Sequence, residues 1–134
     1  MNEIILVSHS PELAEGLADM INQMVQDKNK VKIVPIGGTS EGKLGTDPVR
    51  IISTLKKAKL ATNILIFCDI GSSVLSAESA LDLLDDIEIK KKVKLVDAPL
   101  VEGAFAAGVS ASVNDKIDDI MADVAESKQQ KKFA

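Results

Sequence analysis

Four short apolar runs, separated by segments of helical periodicity, constrain the fold of this 134-residue chain more than any other feature. The runs begin at Ile4, Val31, Asn63 and Val93. Short runs of this kind are typical of strands buried on both faces of a sheet. The helices between them supply the crossovers that parallel strands require. The alternation therefore predicts an α/β fold, with an open, four-stranded, mostly parallel sheet and helices on both faces.

Two of the predicted helices have clear start signals. Ser10 and Asp47 can cap helix N-termini, and Pro11 and Pro48 follow them in the first helical position. We predict helices over residues 11–27, from residue 48, over residues 74–86 and, as one long helix, over residues 102–125, with a charged connector at 88–92. The apolar residues expected to face inward are Leu13, Leu17, Met20, Ile21, Met24 and Val25 in the first helix, Val49, Ile52, Leu55 and Leu60 in the second, and Val74, Ala77, Leu81 and Leu84 in the third.

The chain is expected to form one domain. Its length fits a single core, and no repeat or linker divides it. We predict a domain over residues 1–126 and a polar, frayed tail over residues 127–134.

Composition excludes several classes of function. Aromatic residues make up 2% of the chain and the net charge is −4, which argues against base stacking and against holding a nucleic-acid backbone. The single cysteine, Cys68, lies in an apolar run and is expected to be a core residue, so a cytoplasmic protein without disulfides is indicated. No membrane-spanning segment or signal peptide is predicted. One histidine and one cysteine cannot make a typical zinc site.

Polar and glycine-rich residues follow each predicted strand. Ser8-His9-Ser10 comes after the first strand, Gly37-Gly38-Thr39 after the second, Asp69-Ile70-Gly71-Ser72 after the third and Ala98-Pro99 after the fourth. In open parallel sheets, ligands bind outside the carboxyl ends of the strands. The functional site is therefore expected at this edge of the sheet, around the only histidine.

His9 and Asp69 are the candidate catalytic pair. If the first and third strands are neighbours, the Asp69 carboxylate can accept the Nδ1–H of His9, fix the tautomer and leave Nε2 as the nucleophile. The alternatives are that His9 is a surface or capping histidine and that Asp69 is a helix N-cap.

The turns around this pair are the candidate phosphate site. Backbone amides at helix N-termini bind phosphoryl groups, and small residues allow their close approach. The candidates beside the phosphoryl group are Ser10, Gly38, Thr39, Gly71, Ser72 and Ser73. The patterns GxGxxG and GxxxxGK[ST] are absent, which argues against dinucleotide binding and a P-loop.

Two rival readings fit the residues less well. A receiver domain also has an aspartate after its third strand, but it needs acidic residues after the first strand to hold Mg²⁺, where this chain has Ser8-His9-Ser10. A Ser–His–Asp hydrolase lacks its G-x-S-x-G elbow here. The lysine runs Lys90-Lys91-Lys92 and Lys128, Lys131 and Lys132 are expected to be solvated, although a partner-docking role for them, for Lys43 or for Arg50 is left open.

Several of these motifs together resemble one family. Val7-Ser8-His9-Ser10, Gly37-Gly38-Thr39 with Gly45-Thr46, Asp69-Ile70-Gly71-Ser72 and the segment from Ala98 to Ala104 resemble the DhaM-type phosphotransferase subunits of phosphoenolpyruvate-dependent dihydroxyacetone kinases, which have the mannose-type EIIA fold. The resemblance covers about residues 2–126. The first motif is shared with mannose-type EIIA domains in general, whereas the glycine loop and the Ala98 segment point to the dihydroxyacetone branch.

The resemblance implies a phosphohistidine on Nε2 of His9, oriented by Asp69. The phosphoryl donor would be HPr and the acceptor ADP on a nucleotide-binding subunit of the DhaL type, which would then phosphorylate dihydroxyacetone on a DhaK-type subunit. It implies a homodimer, no cofactor bound by this chain, and a donor supplied by a separate protein, because the chain ends before any fused HPr-like domain. The alternatives left open are an EIIA component of a membrane sugar permease and a non-catalytic regulatory module.

Overall fold

The computed structural model of the protein describes residues 1–134 and contains a four-stranded sheet with helices on both faces. All strands are parallel, in the order β2-β1-β3-β4, so the predicted fold is confirmed. The strands are β1 (Asn2–Ser8), β2 (Val31–Gly37), β3 (Ile64–Cys68) and β4 (Val93–Leu95), and the helices are α1 (Pro11–Met24), α2 (Pro48–Lys57), α3 (Ser72–Leu83), α4 (Ile87–Lys90), α5 (Leu100–Ala111) and α6 (Ile117–Ser127). None of the six helices has the length and apolar content that a membrane span requires.

Strand β1 is central and buried along its whole length. Its side chains alternate between two cores: Ile4 and Leu6 pack under α1, α5 and α6, while Ile5 and Val7 pack under α2, α3 and α4. Each of these fully buried side chains stabilises the fold by roughly 1.5–3 kcal/mol relative to an exposed one. The carboxyl end of β1, where His9 follows, is therefore held on a rigid support.

Both predicted helix starts are confirmed. The Ser10 side chain accepts a hydrogen bond from the backbone N–H of Leu13, and the Asp47 side chain accepts one from Val49. Because α1 begins immediately after Ser10, its first turn is fixed directly beside His9.

The predicted long helix over residues 102–125 is wrong. The structure has two helices, α5 and α6, with a turn between them. The Ser110 side chain donates to Asp123, and both the backbone and side-chain amides of Asn114 donate to Ser110. Serine and asparagine side chains that bond to nearby groups compete with helix continuation, so α6 folds back onto α5. The connector predicted at 88–92 overlaps the short helix α4, which Asp86 caps and whose Ile89 is buried.

Several residues predicted to face inward are exposed: Leu13, Met20, Met24, Val49, Leu60 and Val74. Alanines and neighbouring aliphatic residues occupy the buried positions instead, including Ala14, Ala18, Ile51 and Ala80. Small side chains let a helix approach the sheet closely, and the larger apolar side chains beside them then lie at the edge of the contact. The exposed leucines and methionines therefore add apolar area to the surface of the protein.

Candidate functional site

The site lies at the carboxyl edge of the sheet, where β1 ends between its two neighbours. Ser8, the last residue of β1, is buried and pairs with Gly37 on β2. His9 follows in the turn before α1, and its carbonyl oxygen accepts a hydrogen bond from the N–H of Gly45, 3.0 Å away. The loop after β2 thus closes over one side of the histidine.

Asp69 meets His9 from the end of β3, as the sequence predicts for neighbouring strands. The Nδ1 atom of His9 lies 2.9 Å from Oδ1 of Asp69, and the N–H of His9 donates to Oδ2 at 2.9 Å. The cap position of α3 is Gly71, so the alternative that Asp69 is an N-cap is wrong. The His9 side chain is 25% exposed, which leaves the ring accessible from solvent.

The Asp69 carboxylate accepts four hydrogen bonds. Besides the two from His9, the hydroxyl of Ser8 donates to Oδ2 at 2.9 Å and the N–H of Ile70 donates to Oδ1 at 2.7 Å. Burial alone would raise the pKa of the Asp69 carboxyl, but the hydrogen bonds from the His9 backbone, the His9 ring and the Ile70 backbone lower it to about 2. Asp69 is therefore ionised at neutral pH and acts only as an acceptor.

This ionisation assigns the histidine tautomer. An ionised carboxylate cannot donate, so Nδ1 carries the proton and donates it to Asp69. The lone pair of the neutral ring is then on Nε2, which faces the hydroxyl of Ser72 at 2.6 Å. Ser72 donates to Nε2, and the ring is held in one orientation by its two partners, Asp69 and Ser72.

The start of α3 offers donors for an anion next to Nε2. The backbone N–H groups of Gly71 and Ser72 make no hydrogen bond within the chain. Gly71 has φ +29°, a conformation that side chains disfavour, so glycine is needed at this turn. Free amides at the start of a twelve-residue helix, beside a hydroxyl, suit a phosphoryl group bound to Nε2.

Four other residues predicted beside the phosphoryl group make hydrogen bonds within the loops, and their contact with the phosphoryl group stays a prediction. The N–H of Gly38 donates to the carbonyl of Ser8, and that of Thr39 donates to the carbonyl of Lys43. The hydroxyl of Thr39 accepts from Glu41 and Lys43. The side chain of Ser10 caps α1. Ser73, likewise a candidate, donates its hydroxyl to the carbonyl of Ile70.

Three further contributors were not identified as such from the sequence. The hydroxyl of Ser8 donates to Asp69. The hydroxyl oxygens of Thr46 and Ser76 lie 2.6 Å apart, and this contact ties the β2–α2 loop to α3. Nη1 of Arg50 donates to the carbonyls of Gly37 and Gly38 at 2.7 and 3.0 Å. The pairing of these residues depends on strand order and loop closure, and no local pattern signals it.

Two other kinds of chemistry, a thiol nucleophile and a metal site, find little support at this edge of the sheet. Burial raises the pKa of the Cys68 thiol to about 11, so the thiol is neutral and poorly nucleophilic. No group of three or more His, Cys, Asp or Glu side chains is arranged to hold a metal ion. The residues at this edge of the sheet hold one imidazole ring, and its Nε2 atom is oriented, accessible and next to hydrogen-bond donors that can bind an anion.

The pKa of Asp69 makes acid stability a test of this geometry. Because the folded-state pKa lies near 2, below the ordinary value of 3.8, the carboxylate stabilises the fold above about pH 4, and that contribution is lost as pH falls towards 2. We expect the wild type to exceed Asp69→Asn in thermal stability at pH 5–7 and the two melting temperatures to converge near pH 2. Thermal unfolding by circular dichroism across this range measures the difference. A gap that stays constant with pH would contradict the assigned ionisation.

The fold and the oriented histidine define a member of the EIIA-man family, and the chain belongs to it: the family model, described as the PTS system fructose IIA component, matches residues 3–121. Within that family its relatives are DhaM subunits. The chain is 48% identical to "PEP-dependent dihydroxyacetone kinase 2, phosphoryl donor subunit DhaM" of Listeria innocua, over 90% of this chain and 94% of that protein.

Longer DhaM proteins match over only part of their length. The chain is 38% identical to "PEP-dependent dihydroxyacetone kinase, phosphoryl donor subunit DhaM" of Escherichia coli K12, over 98% of this chain and 28% of that protein. Among solved structures, the protein of unknown function EF1359 is similar, with a TM-score of 0.86 and 43% identity over 99% of this chain and 98% of that one. The expected membership of the DhaM branch is thus confirmed.

Proposed function

We propose that this chain is the phosphoryl carrier of a phosphoenolpyruvate-dependent dihydroxyacetone kinase. Nε2 of His9 receives a phosphoryl group from phospho-HPr and passes it to ADP on the nucleotide-binding subunit. The observation that carries the proposal is the ring geometry: Nδ1 is engaged by Asp69 at 2.9 Å, while Nε2 is accessible beside Ser72 and two free amides. The names of the DhaM relatives supply the kinase and its substrate.

Phosphoryl uptake requires no proton transfer at the site. The Nε2 lone pair attacks phosphorus, the new N–P bond forms as the N–P bond of the donor histidine breaks, and the Nδ1–H remains on the ring. The ring becomes cationic, and the Asp69 carboxylate beside it stabilises that charge. Since Asp69 is already ionised and fixed by four hydrogen bonds, this carboxylate needs no reorganisation at the moment of transfer.

Ser72 changes its hydrogen bond during the reaction. In the resting state its hydroxyl oxygen lies 2.6 Å from Nε2, in the direction from which phosphorus approaches. Rotation of the side chain opens Nε2 and turns the hydroxyl towards a phosphoryl oxygen, joining the amides of Gly71 and Ser72. Phosphoryl transfer depends mainly on alignment and charge stabilisation, and neutral donors of this kind supply both.

Delivery reverses the first step with a different partner. A β-phosphate oxygen of ADP forms a P–O bond as the N–P bond to His9 breaks, and the ring returns to its neutral Nδ1–H form. The ATP so formed then phosphorylates a hydroxyl of dihydroxyacetone on the substrate subunit. In this cycle the chain binds no cofactor. We also propose that the chain acts as a homodimer, and sedimentation equilibrium tests this oligomeric state.

Reconstitution tests the proposed function. The protein is incubated with phosphoenolpyruvate, Enzyme I and HPr, and intact mass spectrometry follows the gain of one phosphoryl group. Addition of the ADP-loaded nucleotide-binding subunit is expected to remove the group and form ATP. A protein that takes no phosphoryl group contradicts the carrier role, and one that takes it but transfers none to ADP contradicts the kinase assignment.

A further inference from the structure

Thr46 links the loop after β2 to the first turn of α3. Its Oγ1 atom lies 2.6 Å from the hydroxyl oxygen of Ser76 and 3.4 Å from the carbonyl oxygen of Ser72. The Ser76 hydroxyl is buried and makes no other hydrogen bond within the chain. Each hydroxyl has one proton to donate. Both contacts are therefore satisfied in only one way: Ser76 donates to Thr46, and Thr46 donates to the carbonyl of Ser72.

The residue before Thr46 contacts the other half of the site. The N–H of Gly45 donates to the carbonyl of His9 at 3.0 Å. Gly45 has φ +136°, and a Cβ atom there would lie 3.0 Å from Cγ2 of Thr39, so glycine is favoured at this position. Two consecutive residues of one loop thus bond to the turn that carries the histidine and to the turn that carries Ser72.

The start of α3 depends on contacts from outside the helix. Side chains cap α1, α2 and α4, whereas no side chain caps α3. The Ser73 hydroxyl donates to the carbonyl of Ile70, which closes the turn locally but does not fix its distance from the histidine. Apart from the His9 ring, Thr46 is the only side chain outside the segment from β3 to α3 that bonds to residues 72–75. Thr46 is thus placed to fix where this turn lies.

We propose that Thr46 is a positioning residue for phosphoryl transfer and that its hydroxyl, supported by Ser76, fixes the backbone of Ser72. The fixed backbone keeps the Ser72 hydroxyl and the free amides of Gly71 and Ser72 at a constant distance from Nε2 while the Ser72 side chain rotates. Thr46 forms no hydrogen bond with the His9 ring, so it acts through Ser72. This inference rests on the proposed function and deepens it.

The variant Thr46→Val tests the inference, because it removes the hydroxyl and keeps the shape of the side chain. The matched control is Thr54→Val: Thr54 is also half-buried, and its hydroxyl donates to the Arg50 carbonyl within α2. In single-turnover uptake from phospho-HPr, the maximum rate constant should fall about tenfold in Thr46→Val, since small displacements of reacting groups cost up to about a hundredfold. The half-saturating concentration of phospho-HPr should not change. Thr46→Ser should restore the rate, and Thr54→Val should match the wild type.

Three readouts place the defect at the histidine. Phosphoramidate, a small phosphoryl donor that needs no docking, should label Thr46→Val more slowly by about the same factor as phospho-HPr. In nitrogen-15 NMR, the Nε2 resonance of His9 should shift because the hydrogen bond from Ser72 weakens, whereas Nδ1–H should stay bound to Asp69. In a Ser72→Ala background, Thr46→Val should slow uptake much less than in the wild type, because the hydroxyl that it positions is already gone.

The double variant Thr46→Val, Ser76→Ala separates rate from stability. Thr46→Val alone leaves the buried Ser76 hydroxyl without a partner, and an unpaired buried hydroxyl destabilises a fold. Removing both hydroxyls removes the unpaired group, so the melting temperature should return towards that of the wild type. Phosphoryl uptake should stay slow, because the Ser72 carbonyl still lacks the hydrogen bond from Thr46.

The outcomes separate this inference from the proposed function. Wild-type uptake by Thr46→Val overturns the positioning role. A double variant that recovers rate together with stability also overturns it, because Thr46 would then only support the fold, and so does a defect seen with phospho-HPr but not with phosphoramidate. If phosphoramidate labels wild-type His9 but phospho-HPr does not, the proposed function fails, and the phosphoramidate rates of the same variants still decide the role of Thr46.

Discussion

Phosphoryl uptake is expected to be lost completely when His9 is replaced by alanine. His9 is the only histidine of the chain, and its Nε2 is the one oriented imidazole lone pair that phosphorus can reach. The thiol of Cys68 is neutral, and the base that the Ser8 hydroxyl contacts is Asp69, whose pKa of about 2 makes it too weak to activate an alcohol once the ring is gone. Intact mass after incubation with phosphoenolpyruvate, Enzyme I and HPr should show no added phosphoryl group.

The variant His9→Asn separates loss of the nucleophile from loss of structure. An asparagine amide can still donate to Asp69 from near the position of Nδ1 but offers no nucleophilic nitrogen. Both variants should fold, because the ring is partly exposed and Asp69 keeps hydrogen bonds from Ser8 and Ile70. Acid-labile phosphate on either variant would place the phosphorylated residue elsewhere in the chain.

The sequence predicts the fold well because its signals are local. Each strand is a short apolar run, and the capped starts at Ser10–Pro11 and Asp47–Pro48 can be read from adjacent residues. What the sequence misses depends on tertiary contacts. The break after α5 requires Ser110 to meet Asp123 on the next helix, and the exposure of Leu60 follows from its position beyond the end of α2.

The sequence predicts which types of residue form the site and at which edge of the sheet they lie. Placing β1 beside β3 brings His9 and Asp69 together, and parallel topology brings the turn at Ser72 to the same edge. The sequence does not separate residues that can touch a phosphoryl group from those that hold the loops. Gly38 and Thr39 look like anion-binding residues in sequence, yet their amides are already bound to carbonyls. The role of each candidate in catalysis stays a prediction.

Asp69→Asn is expected to slow phosphoryl uptake by up to about ten-thousandfold, the loss seen when the carboxylate behind a catalytic histidine becomes an amide. An amide NH₂ in place of Oδ1 would face the N–H of Ile70 and force the proton of the His9 ring from Nδ1 to Nε2. In the other orientation it would face the N–H of His9. Either way the phosphorylated, cationic ring loses its counter-charge.

Three measurements distinguish this positioning role from a merely structural one. Single-turnover uptake from phospho-HPr should slow in Asp69→Asn, while Asp82→Asn, which makes the same charge change on the exposed side of α3, should react at the wild-type rate. Nitrogen-15 NMR of the ring should report more Nε2–H tautomer in Asp69→Asn. Phosphoramidate labelling should slow along with uptake from phospho-HPr, because the defect lies in the nucleophile and not in docking. If Asp69→Asn keeps the wild-type tautomer and only its uptake from phospho-HPr is slow, then Asp69 acts in the contact with the partner protein and does not orient the nucleophile.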